Sequence, residues 1–307
     1  MQSNTGLGLE TARVIGKNGG TVIMACRTPS RCEGGKAKIN AEVEAGGGKL
    51  RCMQLDLGNL ASVDKFVEEF LASGLALDYL VNNAGIMALP KFTTTADGHE
   101  SQWGVNHLGH FRLTTQLLEK LTQHKGRIVN LSSLAHARYT GPVADMPLTE
   151  ATYDADLAYG SSKVSNILFT LGLRARLRGT GVHTTSGHPG LIQTELARHR
   201  LPSKDTLFFK VMSAFGKALF EAYKFTFGDT PLKTIPQGSA TTLCMMLDDL
   251  PETGTQKLYY SDCLPGKVGD NYFDALASDP TKAEQLWSAS EEMVRRYLDA
   301  ASSSSNQ

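Results

Sequence analysis

The chain carries no surplus of either charge: Lys and Arg total 31, and so do Asp and Glu. That balance excludes a global attraction to nucleic acid or to an anionic membrane, so no nucleic-acid partner is expected. No apolar run approaches the ~20 residues that a membrane-spanning helix needs. Met1 to Glu10 is polar and glycine-rich, unlike the opening of a secretory signal. None of the five cysteines (Cys26, Cys32, Cys52, Cys244, Cys263) stands in a C-x-x-C pair, and their number is odd. Reduced core thiols in an intracellular compartment, cytoplasmic or peripheral on an organelle membrane, are therefore expected, and a disulfide framework or zinc site is not. His107 and His110 lie three apart without a cluster of further ligands, so they read as structural histidines and no metal is expected.

What remains is a chain of 307 residues, 41% apolar, long enough for one large core. No repeat or linker divides it. A single domain over 1–301 is expected, with a polar, disordered tail at 302–307. Strand-like runs at Thr21 to Cys26, Lys49 to Leu55, Leu77 to Val81, Arg127 to Leu131, Val182 to Ser186 and Leu258 to Tyr260 alternate with helical patterns. The helices fall at Leu9 to Lys17, Ser62 to Ala72, Glu100 to Leu121, Tyr159 to Arg178 and Gly238 to Leu247. This alternation predicts an α/β fold of three layers, a doubly wound parallel sheet with helices on both faces. One segment breaks the rhythm. Within 200–235, which reads as a substrate-side insertion, Phe208 to Phe227 is aromatic-rich, with Lys210, Lys217 and Lys224 spaced by seven. It reads as a lid over a lipophilic pocket, a helix on a membrane surface, or an ordinary core-facing helix pair.

Of the nine tyrosines, Tyr159 alone has a lysine four positions later, Lys163. On a helix the two share a face, and a nearby ammonium favours phenolate, lowering the tyrosine pKa toward working pH. A second strand-like run ends in Asn130-Leu131-Ser132-Ser133. That places Ser133 at the carboxyl edge of the sheet, where open α/β sheets bind ligands and a hydroxyl can hydrogen-bond a substrate oxygen. Asn82-Asn83-Ala84-Gly85 follows another strand in the same way. Asn4-Thr5-Gly6-Leu7-Gly8 runs into a helix, its glycines letting a pyrophosphate approach the helix N-terminus.

Together with Gly104-Val105-Asn106-His107-Leu108-Gly109, His188-Pro189-Gly190 through Thr194, and Gln237 to Thr242, these motifs resemble the short-chain dehydrogenase/reductase superfamily. Within it the chain is similar to the retinol dehydrogenase and WW-domain oxidoreductase group. The resemblance implies a Rossmann-like fold and a role for each matching residue. Tyr159 would exchange the proton, while Lys163 would hold the nicotinamide ribose and lower the Tyr159 pKa. Ser133 would orient the substrate oxygen, and Asn106 would anchor a relay water. Asn4, Gly6, Leu7 and Gly8 would receive the pyrophosphate. Asn82, Asn83, Ala84 and Gly85 would line the adenosine and ribose channel, and Asp56 would reach the adenine. Pro189, Gly190 and Thr194 would sit against the nicotinamide. After the second family strand the chain reads Cys26-Arg27, with Arg31 close by and no acid before Glu33. A cation there accommodates a 2′-phosphate, where an acid would bind the 2′-hydroxyl. NADP is therefore expected over NAD.

The expected reaction is hydride transfer between NADP(H) and the alcohol or carbonyl carbon of a lipophilic small molecule, such as a retinoid, long-chain aldehyde or steroid. A tetrapyrrole reductase of the protochlorophyllide type, and a low-turnover NADP-binding scaffold, are the alternatives. Family members range from monomers to tetramers, so a homo-oligomer is compatible. The chain departs from the family at one place: the first glycine of the Thr-Gly-x-x-x-Gly-x-Gly motif falls at Gln2, and its hydrophobic strand has no residues. Either the chain starts inside a longer protein, which the agreement of the later motifs favours, or it is a variant with impaired cofactor binding. In both cases the sheet is expected to be split where the cofactor binds.

Overall fold

The computed structural model describes residues 4–192, 232–249, 257–266 and 277–305. Phe208 to Phe227, Thr194 and most of 200–235 lie outside the described residues.

Strands and helices alternate as the apolar pattern predicts. Helix α1 (Gly6–Lys17) leads into β1 (Thr21–Cys26), then α2 (Pro29–Ala45), β2 (Lys49–Gln54), α3 (Leu60–Ala72) and β3 (Tyr79–Asn82). A short helix, α4 (Ser101–Trp103), passes through a π-helical turn at Gly104–Leu108 into α5 (Gly109–Gln123). There follow β4 (Arg127–Leu131), α6 (Ala155–Arg176), β5 (His183–His188), α7 (Ile235–Leu247), β6 (Tyr259–Ser261), β7 (Leu264–Pro265) and α8 (Pro280–Ser305). Local chemistry explains the boundaries. Asn59 caps α3 by accepting from the Ser62 N–H, and Thr234 and Gln237 form a reciprocal capping box on α7, each satisfying N–H groups that a helix start leaves open.

The sheet is split as expected. β1 and β2 pair in parallel and form a two-stranded sheet, while β3, β4, β5, β6 and β7 form a separate five-stranded one. All pairs are parallel except β6 with β7. Apolar packing bridges the two sheets: Ala25 and Leu55 belong to the same buried cluster as Leu80, Phe111 and Leu117. Side-chain hydrogen bonds lock β3 against β4. Asn82 donates to Asn130 Oδ1 (2.8 Å) and Thr114 Oγ1 (2.9 Å), and Asn130 donates to Thr170 Oγ1 (2.9 Å).

Three expectations are corrected. Residues 302–305 are not a disordered tail but the last turn of α8, where the Ser302 and Ser303 hydroxyls donate to the carbonyls four residues earlier. Four of the cysteines are paired, Cys32 with Cys52 and Cys244 with Cys263, leaving Cys26 as a buried thiol. Separations of 20 and 19 residues carry no local signature; the crossover from α2 to β2 is what brings the first pair together. The cysteine argument for a reducing compartment therefore lapses. Helix α2 escaped the pattern search because its buried stripe is narrow, only Cys32, Gly35, Ile39 and Val43. No helix among the described residues is long and apolar enough to cross a membrane.

His107 and His110 are structural, as expected: both are buried, His107 bonding Ser290 (2.9 Å) and His110 the Asn106 carbonyl (3.0 Å). No group of metal-ligating side chains occurs among the described residues. Burial pushes both imidazoles down to about 3. Unfolding returns them to ordinary values, so the unfolded chain binds more protons and stability rises with pH between about 3 and 6.5. The melting temperature is expected to fall as pH drops from 7 through 5, and His107→Gln should flatten that dependence. Calorimetry at a series of pH values checks both.

Candidate active site

The catalytic candidates converge at the carboxyl end of β4. Asp154 caps α6, its carboxylate accepting from the N–H groups of Asp156 (2.9 Å) and Leu157 (2.8 Å). The helix therefore begins one turn before Tyr159 and is buried nearly all round from Ala158 to Arg174. It is tied to the strand by Ser132, whose hydroxyl donates to the Lys163 carbonyl (2.8 Å), and by Lys163 and Asn166, which both donate to the Leu131 carbonyl (3.1 and 3.0 Å). Ser133 leaves β4 in extended conformation and caps the 3-10 turn Leu134–Arg138. Its side chain hydrogen-bonds the Tyr159 phenol.

The electrostatics correct one expectation. Lys163 does not acidify Tyr159. Burial is the dominant influence and pushes the phenol up to about 12, offset in part by Ser133 and the Arg138 guanidinium. The Lys163 ammonium lies 5.5 Å from the centre of the Tyr159 ring, and its hydrogen bond goes to Leu131 instead of the phenol oxygen. Burial pushes Lys163 itself down to about 8. Both side chains are 3% exposed, so desolvation outweighs their mutual attraction.

Asn106 sits in the π turn, 0% exposed. Its side chain accepts from the Ile86 N–H (2.8 Å) and donates to the Ile86 carbonyl (2.9 Å) and to Ser162 (2.9 Å). Its amide thus clamps the loop after β3 to α6. Gly85 lies under this clamp. A Cβ there would stand 3.3 Å from Asn106 Oδ1 and 3.5 Å from Lys163 Nζ, so the glycine keeps the space around the ammonium open. Asn82 departs from its expected place: it is 2% exposed and both its donors serve the core, so Asn83, Ala84 and Gly85 are left to face the site. Ser162, which also donates to the Tyr159 carbonyl (2.8 Å), was missed by sequence reasoning, as were Asn166 and Arg138. The Tyr-x-x-x-Lys spacing names helix positions but not what their neighbours bond.

The candidate cofactor half lies around α1. Its first turn has no acidic residue, and its N-cap Thr5 makes no side-chain cap bond, which leaves N–H groups and a positive helix end for an anion. Gly6 has φ +60°, a left-handed conformation that favours glycine, and it turns Asn4 and Thr5 into the helix ahead of Leu7 and Gly8. Arg27 follows β1 directly and is exposed. Asp56 follows β2 and accepts from the Gly58 N–H (3.0 Å). Pro189 and Gly190 follow β5, where Gly190, at φ +88°, lies beneath the Lys233 side chain. A buried ammonium with one carbonyl partner, an uncapped glycine-led helix and a glycine at each approach fit a nicotinamide dinucleotide.

A family model described as short chain dehydrogenase matches residues 3–205. Human retinol dehydrogenase 12 is 38% identical over 95% of this chain and 84% of its own length. The short-chain dehydrogenase TIC 32 B, chloroplastic, of Brassica napus is 38% identical over 94% of the chain and 86% of its own. Among solved structures, an uncharacterized protein from Mycobacterium paratuberculosis superposes with a TM-score of 0.66 at 32% identity, covering 95% of this chain and 91% of that one.

The clamp at Asn106 is testable through stability. Asn106→Ala strands the Ile86 N–H and carbonyl, and each buried group left unpaired costs on the order of 1–3 kcal/mol. A loss of about 2–3 kcal/mol is expected in urea unfolding; an unchanged midpoint would show that the loop is held by other contacts.

Proposed function

The chain belongs to the short-chain dehydrogenases, an oxidoreductase family, and on that premise we propose that it transfers hydride between NADP(H) and the alcohol or carbonyl carbon of an apolar substrate. The observation that carries this reading is the meeting of Ser133, Tyr159 and Lys163 at one strand end, with phenol and hydroxyl hydrogen-bonded. A bound nicotinamide supplies or takes up the hydride. The protein's own groups handle the oxygen. In reduction, the substrate oxygen gains negative charge between the Ser133 hydroxyl and the Tyr159 phenol. A phenol held up at about 12 is fully protonated at neutral pH, yet more acidic than an alkoxide's conjugate acid, which lies near water's value of about 15.7. Tyr159 is therefore a competent proton donor without acidification by Lys163. Lys163 holds the ribose through the N–H groups not committed to Leu131, and its charge steadies the phenolate left behind.

NADP is favoured over NAD by Arg27, exposed at the end of β1 where an acid would otherwise meet the ribose 2′-hydroxyl. The apolar substrate class draws on the similarity to retinol dehydrogenases.

Three outcomes are expected. Tyr159→Phe should lower NADPH-dependent reduction of a retinoid or long-chain aldehyde by about 10²–10⁴-fold, the usual share of a proton donor, with cofactor binding retained. Persistence of full activity would overturn the mechanism. Arg27→Asp should shift the NADPH-to-NADH preference by about tenfold or more, the scale of one charge-assisted contact, as read from kcat/KM with each cofactor. The kcat/KM for reduction should be level below about 8 and decline above it, because Lys163 carries its charge only below that value. A pH profile checks the sign, and the fall should disappear in Lys163→Arg if that variant is active.

A further inference from the structure

Between β1 and β3 lies an apolar cavity of about 140 Å³. Its walls are the facing edges of the two strands, with Ile15 and Met246 among the helix residues that line it and Phe66, Phe70, Leu113 and Leu117 from α3 and α5. The backbone shows what the cavity is shaped for. In a parallel strand both polar groups of a residue point to one side, and successive residues alternate sides. On β1, the Gly20 and Cys26 carbonyls accept from Lys49 and Leu55, so Val22 and Met24 also face β2, while Thr21, Ile23 and Ala25 face the cavity. On β3, the Asp78 carbonyl accepts from Arg127, so Leu80 and Asn82 face β4, while Tyr79 and Val81 face the cavity. These five residues have no strand partner among the described residues, and of their carbonyls Val81 alone has a turn partner, the Asn83 N–H.

We propose that this cavity is a binding site for one extended apolar peptide, supplied by a polypeptide outside residues 1–307, that adds as a strand between β1 and β3. An apolar small molecule would fill the volume but leave two rows of backbone donors and acceptors unpaired, each costly when buried. An extended backbone presents alternating N–H and C=O groups to both sides at once, which matches both rows. The faces specify the side chains. Helices cover the cavity above and below, so the strand takes a continuous β-branched apolar run and not an alternating one. The outer edge of β2 offers the same groups on one side only, beside largely exposed side chains.

The probe is a synthetic peptide of six alternating valines and isoleucines, the length of β1, with a lysine at each end. Hydrogen exchange of the full chain is followed with and without it. Exchange at Thr21, Ile23, Ala25, Tyr79 and Val81 is expected to slow by about tenfold or more. The same peptide with proline at alternate positions, lacking half its donors, should give no protection. Ile23→Lys, which sets a charge inside the cavity, should abolish the effect; if that variant does not fold, the proline peptide is the deciding control. Protection confined to Lys49–Gln54, equal protection by the proline peptide, or none at all would overturn the proposal. None of these readouts depends on catalysis.

Discussion

A buried ammonium organises this site. Lys163 is 3% exposed, and its one hydrogen bond among the described residues goes to the Leu131 carbonyl. A charge taken out of water is expensive unless it is paired, and no carboxylate pairs with it here; its lowered pKa records the imbalance. Everything near it is arranged to leave the remaining N–H groups free. Gly85 withholds a side chain, the Tyr159 ring lies alongside, and Asn106 turns its amide to Ile86 and Ser162. A ligand bearing hydroxyl oxygens would relieve the cost by accepting from the ammonium. Binding there gains more than it would at a solvated lysine, because the desolvation has already been suffered in folding.

Polar contacts in the core fix where that ammonium sits. Thr114, Asn82, Asn130 and Thr170 form a chain of buried hydrogen bonds from α5 across β3 and β4 to α6. Apolar packing alone would tolerate small slips of one strand along the other. A set of directional bonds between side chains that are 0–2% exposed does not. The register of β3 against β4 sets the loop carrying Gly85 opposite Ser132 and Ser133, and thereby the distance between the two sides of the site.

The sequence made the alternation of elements legible, because buried parallel strands and amphipathic helices differ in apolar period, and it made Tyr159, Lys163, Ser133 and Asn106 legible through spacing and strand-end placement. The gap in the sheet was also foreseeable, since no apolar run precedes α1. Other features were hidden for physical reasons. The disulfides join residues that only the crossovers bring together. Asn82 looks like a ligand-channel residue in the linear motif, yet the chain carries Thr114 and Asn130 to within hydrogen-bond reach of it and turns it into the core. The Tyr159 pKa depends on burial, and spacing along a helix says nothing of how deep that helix lies. The motif therefore identified the right pair and the wrong influence on it.

The split sheet bears on how tightly a dinucleotide could be gripped. Arg27 and the start of α1 belong with β1 and β2, whereas Lys163, Tyr159 and Ser133 belong with the five-stranded sheet. No ladder joins these halves among the described residues. They are held by side-chain packing, as where Gly238 of α7 meets Ile192 and Leu7 so closely that a Cβ would stand 2.0 Å from the first, and by the cluster that Ala25 and Leu55 share with Leu80. Apolar contact is strong but non-directional, while ladder hydrogen bonds fix spacing and register. A ligand spanning both halves must itself hold the separation between Arg27 and Lys163, and the ordering it imposes subtracts from its affinity. The catalytic residues lie wholly within the five-stranded half, so the weakness created by the gap falls on the grip of the cofactor and leaves the geometry of proton transfer intact.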